Sequence, residues 1–167
     1  MKNQLVTLLV LATIAINGCH TSSSSTTVTP TTPVSTFNIT INGHSYHLSS
    51  NANSNPPIVV RATTLSVAGE FMLSFGGTNT NQVGTSFTGL KSDLSSPLGT
   101  YIVDSSHGSN EVEDYGDGSK IYIGNHSSGG TATVTICNGT ECKGTFNVNL
   151  SYNNITYPVT GDFDYKH

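Results

Sequence analysis

The side chains with the clearest chemical potential form a run of acids, Glu111, Glu113, Asp114 and Asp117, with Asp104 shortly before them. Carboxylate oxygens gathered in a glycine-bearing segment (Asp114-Tyr115-Gly116-Asp117-Gly118) are the ligand type that Ca²⁺ takes. The spacing departs from the D-x-[DN]-x-[DN]-G of an EF-hand, and no Glu follows at the closing position. A solvated acidic loop is therefore the plainer reading, and Ca²⁺ binding the alternative. His44 and His47 suggest a metal pair, but on a strand an offset of three places them on opposite faces. Neither has a carboxylate close by in the sequence, so they read as surface histidines, and His107 and His126 are isolated among Gly and Ser. Tyr101, Tyr115 and Tyr122 are the ligand-binding candidates, as rings on which a sugar could stack. Such platforms often use Trp, which this chain lacks, and cross-strand packing is the commoner reason for Tyr in a sheet. No G-x-S-x-G elbow, H-E-x-x-H pair or P-loop is present. A non-enzymatic binding or structural module is the first expectation, a glycan-binding accessory protein the second and a secreted hydrolase the third.

Which of these groups is available depends on where the chain is sent. Lys2 precedes a run from Leu5 to Ile16 that is apolar except for Thr7 and Thr13, and the run breaks at Asn17-Gly18. About twelve apolar residues suit a signal-peptide core and fall short of the roughly 20 needed to span a bilayer. The chain has three Cys, and an odd thiol in an exported protein requires an explanation. If Cys19 is modified, Cys137 and Cys142 remain as a pair suited to a disulfide in an oxidising compartment.

Removal of residues 1–18 would take Lys2 and leave five basic against ten acidic side chains. That balance argues against a nucleic-acid partner, which needs clustered Lys and Arg. It also argues against polybasic attachment to anionic lipid. Residues 19–36 are rich in Ser, Thr and Pro without hydrophobic periodicity, the composition of a disordered tether. Residues 37–167 suffice for a single domain.

Within that domain the apolar period is two. Phe37, Ile39 and Ile41 alternate into an Asn42-Gly43 turn of type I′ character, and Tyr46 and Leu48 lead back. Ile58 to Thr63 reads as a strand. Leu65, Val67, Phe71, Leu73 and Phe75 read as one long strand with a bulge at Gly69. Val83–Phe87, Gly99–Val103 and Lys120–Gly124 follow. The C-terminal part reads as a meander, with Ala132, Val134 and Ile136 entering a Cys137–Cys142 turn. Phe146, Val148 and Leu150 return, and a last strand carries Ile155, Tyr157, Val159, Phe163 and Tyr165. Pro158 places that strand at an edge or turns its ring away from a partner. Direct opposition of Cys137 and Cys142 would throw the two apolar rows onto opposite faces, so a bulge near Asn138-Gly139 is expected to restore the phase. Nine or ten strands without a helical stripe predict an all-β antiparallel fold, a two-sheet β-sandwich with a C-terminal meander first and a closed meander β-barrel as the alternative.

Two sets of motifs carry a resemblance. Ile16-Asn17-Gly18-Cys19 resembles the lipobox of bacterial lipoproteins. Gly99-Thr100-Tyr101, Lys143-Gly144-Thr145-Phe146 and Val159-Thr160-Gly161-Asp162-Phe163 resemble the G-T-Y, G-T-F and V-x-G-x-F strands of short bacterial lipoproteins of unknown function. The resemblance implies diacylglycerol on Cys19, cleavage before it, and membrane anchoring in the cell envelope. Two or more acyl chains hold a protein on a bilayer stably. His20, rather than Asp, after the lipidated position points to the outer membrane.

Overall fold

The structure, a computed structural model, describes residues 33–50, 58–104, 106, 110–123 and 129–167. They form eleven strands: β1 (Thr36–Ile41), β2 (His44–Ser49), β3 (Val59–Val67), β4 (Glu70–Asn79), β5 (Val83–Lys91), β6 (Gly99–Val103), β7 (Glu111–Asp114), β8 (Lys120–Ile123), β9 (Gly130–Cys137), β10 (Glu141–Tyr152) and β11 (Ile155–Lys166). A single 3-10 turn, Tyr115–Asp117, separates β7 from β8. Every pairing is antiparallel, in the order β2-β1-β11-β10-β8-β7-β5-β4-β3. β6 and β9 make a second bridge from β5 to β10, so those two strands are joined twice. The all-β expectation holds, in the form of one sheet rolled into a nearly closed barrel.

The rolled sheet is filled with aromatic side chains. Phe37, Phe75, Phe87, Phe146 and Phe163 come from five different strands, and each is at most 4% exposed. Phe75 lies at the centre, its ring centroid 5.1 Å from Phe87, 5.1 Å from Phe163 and 5.2 Å from Phe146. These separations lie in the range that aromatic pairs favour, and burying each ring is worth about 1.5–3 kcal/mol.

Turn chemistry decides where the chain reverses. Asn42 and Gly43 both have positive φ, 49° and 79°, as a type I′ hairpin requires. Asn153 and Asn154 do the same between β10 and β11. The long strand expected around Gly69 is instead a hairpin, for Ala68 and Gly69 have φ of 47° and 90°, and Val67 pairs with Glu70. Leu65 and Val67 therefore point outward, 52% and 44% exposed, while Leu73 and Phe75 point into the core.

The meander also differs in one detail. Cys142 opposes Cys137 and Lys143 opposes Ile136, but Gly144 opposes Val134. The extra residue is Thr135, inside β9, and not at Asn138-Gly139. The bulge restores the phase as the apolar rows demand, putting Ala132 opposite Phe146 on the buried face and leaving Ile136 outside. The Asn138 turn stays regular because the Asn138 side-chain oxygen accepts from the Thr140 and Glu141 amides. Pro158 lies one residue beyond the β1 ladder, which ends at Val159. Its partner Asn149 donates its amide to Gly129 on the other side, so the pair exchanges no hydrogen bond that Pro would forfeit.

Candidate functional site

Alternation along β7 sorts its acids into two groups. Val112 and Asp114 face inward and are fully buried, whereas Glu111 and Glu113 face outward. Glu113 accepts from the Tyr115 hydroxyl at 2.5 Å and lies with Glu111 beside Arg61 on the outer surface. The four acids of the alternative Ca²⁺ reading thus divide between the two faces of the sheet, and Asp104 is engaged locally with Ser106.

Asp114 instead joins residues distant in sequence. The 3-10 turn folds over the end of β2, pinned by the Tyr115 and Gly116 amides donating to the Gln82 carbonyl at 3.0 and 3.1 Å. Gly116 permits the approach, since a Cβ there would lie 2.2 Å from the Tyr46 hydroxyl oxygen. On β2, His44 and Tyr46 share the inward phase of the buried Leu48. Tyr46 donates to Asp114 Oδ1 at 2.5 Å, and the Asp117 amide donates to the same oxygen at 2.9 Å. Asp114 Oδ2 accepts no hydrogen bond among the described residues and lies 3.3 Å from His44 Nδ1. The separation is that of an ion pair, but the alignment of a hydrogen bond is missing.

Three donors hold Asp117. Its Oδ2 accepts from Lys120 Nζ, from Asn42 Nδ2 at 3.1 Å and from the Tyr122 hydroxyl at 3.3 Å. The hydrogen bond from Lys120 holds the Asp117 carboxyl below the usual range, with burial opposing it. Burial pushes the Tyr46 phenol well above its ordinary value, and the bond to Asp114 pushes it further, so Tyr46 stays a proton donor to the carboxylate. His44, Asp114 and Asp117 each present one ligand atom, and all three atoms lie within 4.8 Å of one another. An imidazole and two carboxylates in such a cluster can bind a cation or pass a proton.

The three tyrosines are not gathered on a surface. Tyr101 is fully buried and donates to the Pro97 carbonyl at 2.6 Å, with burial raising its phenol to about 12. Tyr122 is also buried, packed on Tyr157 and Tyr152 at 4.8 and 5.5 Å, and Tyr115 is half-buried against Glu113. His47 sits on the outer face beside Asn38. His107, His126 and Cys19 lie outside the described residues. The carboxylate partner of His44 was invisible in the sequence because Asp114 is 70 residues away. The readable part was the phase of His44 and Tyr46 with Leu48 after an Asn-Gly turn.

Cys137 and Cys142 oppose one another on β9 and β10 as free thiols, so the expected disulfide is absent from the structure. Their sulfurs are 3.1 Å apart, a hydrogen-bonded contact and not the roughly 2.05 Å of a covalent bond. Burial, with the neighbouring thiol, pushes Cys142 well above the ordinary thiol value, which favours the protonated form.

No family model, curated protein or solved structure gives a significant match to the chain.

Proposed function

We propose that the chain is a lipid-anchored protein of the bacterial cell envelope, held at the outer membrane through Cys19, whose barrel serves as a non-enzymatic binding or structural module. The observation that carries this reading is the apolar leader ending in Ile16-Asn17-Gly18-Cys19, followed by a Ser/Thr/Pro tether and one domain. Extended, the tether could hold the barrel up to about 55–60 Å from the lipid. The barrel contributes a rigid, aromatic-filled body that presents groups on its surface and at its ends. The alternative glycan reading loses support from the burial of Tyr101 and Tyr122.

Labelling of growing cells with a palmitate analogue tests the anchor. We expect label on the native protein and none on Cys19→Ser. An unlabelled native protein with an intact leader would refute the anchor.

A further inference from the structure

We infer that His44, Asp114 and Asp117 form a three-ligand site for a borderline divalent transition metal of the Zn²⁺ type, at the barrel end where the β1–β2 hairpin meets the β7–β8 turn. The site differs from the acidic Ca²⁺ loop that the sequence suggests, because it discards Glu111 and Glu113 and recruits an imidazole from another hairpin. It is independent of the lipid anchor.

The argument starts from Asp114. Its side chain is entirely buried, and among the described residues Oδ2 has no hydrogen bond although Oδ1 takes two. An ionised carboxylate oxygen in that position is costly unless a cation faces it. The neighbour across from it, His44 Nδ1, is 3.3 Å away. Nδ1 also lies 3.3 Å from the Tyr46 hydroxyl, whose own proton is directed to Asp114. The simplest competitor is therefore a protonated His44 shared between Tyr46 and Asp114. That arrangement aligns a donor on Tyr46 and leaves Oδ2 unsatisfied.

A metal ion satisfies all the lone pairs together. Two ligand atoms bound to one tetrahedral Zn²⁺ at about 2.0–2.1 Å stand roughly 3.3 Å apart, which matches the His44–Asp114 separation. The third ligand, a carboxylate oxygen of Asp117, lies within 4.8 Å of both, so a small movement of a surface turn brings it in. Outer hydrogen-bond donors that fix the ligands surround the cluster, as metal sites require. Tyr46 orients Asp114, while Asn42 and Tyr122 orient Asp117.

The donor chemistry selects the class of ion. Ca²⁺ takes six to eight oxygens as a rule, and one of the three donors here is nitrogen. Mixed imidazole and carboxylate donors suit Zn²⁺ and its first-row neighbours. Lys120 opposes binding, because its ammonium holds an Asp117 oxygen that the metal could use and repels a dication.

The test uses the full chain in detergent, stripped with a chelator and titrated with Zn²⁺ and with Ca²⁺ by calorimetry and thermal melting. We expect one equivalent of Zn²⁺ to bind and raise the Tm, with no matching response to Ca²⁺. His44→Ala and Asp117→Asn, at part-exposed positions where folding survives, are each expected to weaken Zn²⁺ binding by about tenfold or more. Lys120→Met is expected to strengthen it by about threefold, which a purely structural cluster would not do. Zn²⁺ affinity unchanged in both His44→Ala and Asp117→Asn would assign uptake to other histidines and overturn the site. So would a Ca²⁺ response equal to that of Zn²⁺, or weaker binding in Lys120→Met.

Discussion

Two bridges connect β5 to β10, and they are secured in opposite ways. The β6–β9 bridge is laddered to β10 from Cys142 to Val148, and meets β5 through Gly89–Val103 and Leu90–Ile102. The β7–β8 bridge is laddered to β5 from Val83 to Ser86, and meets β10 through one pairing, Ser151 with Ile123. At its weak junction the first bridge relies on shape. A Cβ on Gly89 would lie 3.0 Å from Val103 and 3.1 Å from Tyr101, so the strands nest closely. The second relies on Tyr122 packed against Tyr152 and Tyr157, and on the polar contacts of Asp114 and Asp117 with β2 and its turn. A bridge held by carboxylates can be tightened or released by an ion.

The largest expected effect erases this contrast. Phe75→Ala removes the ring at the centre of the aromatic cluster, which packs on β5 and β10, the two strands that both bridges join, and should cost about 3–5 kcal/mol by urea denaturation. Both bridges should then lose hydrogen-exchange protection together. An intermediate effect sharpens the contrast. Asp114→Asn keeps the shape but removes the charge that Tyr46 and the Asp117 amide bond, and should cost about 2 kcal/mol. Faster exchange should be confined to β7–β8 and the end of β2. Equal loss in β6–β9 would show that the two bridges are not held separately.

The smallest effect serves as a control outside both bridges. Asp164 on β11 pairs with Lys166 at 2.7 Å and Lys143 at 3.3 Å, and its side chain is 21% exposed. Burial would raise its carboxyl, but hydrogen bonds from the two lysines outweigh it and lower the folded value. Its contribution is therefore complete above the unfolded value of about 4 and is lost as pH falls through the folded one. Asp164→Asn should cost about 1 kcal/mol near neutral pH, with the gap to the native protein closing in acid. Urea titrations at several pH values check this, and exchange in β7–β8 should be unaffected.

The sequence carried the first of these bridges better than the second, for physical reasons. Gly99–Val103, Ala132, Val134, Phe146 and Val148 alternate cleanly, because their junctions bury apolar rows. The Asn42-Gly43 turn announced itself through residue types that accept positive φ. Ala68 occupies the same conformation without that signature, which hid the β3–β4 hairpin. β7 reads as an acidic loop in the sequence because Glu111 and Glu113 face solvent and the buried Asp114 breaks the apolar pattern. Thr135 is extruded by the needs of both strands, so the displaced bulge could be foreseen in kind but not in place. The His44–Asp114 contact arises from barrel closure, and no local spacing encodes it.

The most direct measurement is hydrogen exchange across the native protein with and without Zn²⁺. Our account predicts added protection in β7–β8, the 3-10 turn and the β1–β2 hairpin, with β6–β9 unchanged, and no such pattern in His44→Ala. Protection spread evenly over the barrel, or the same pattern persisting in His44→Ala, would contradict it.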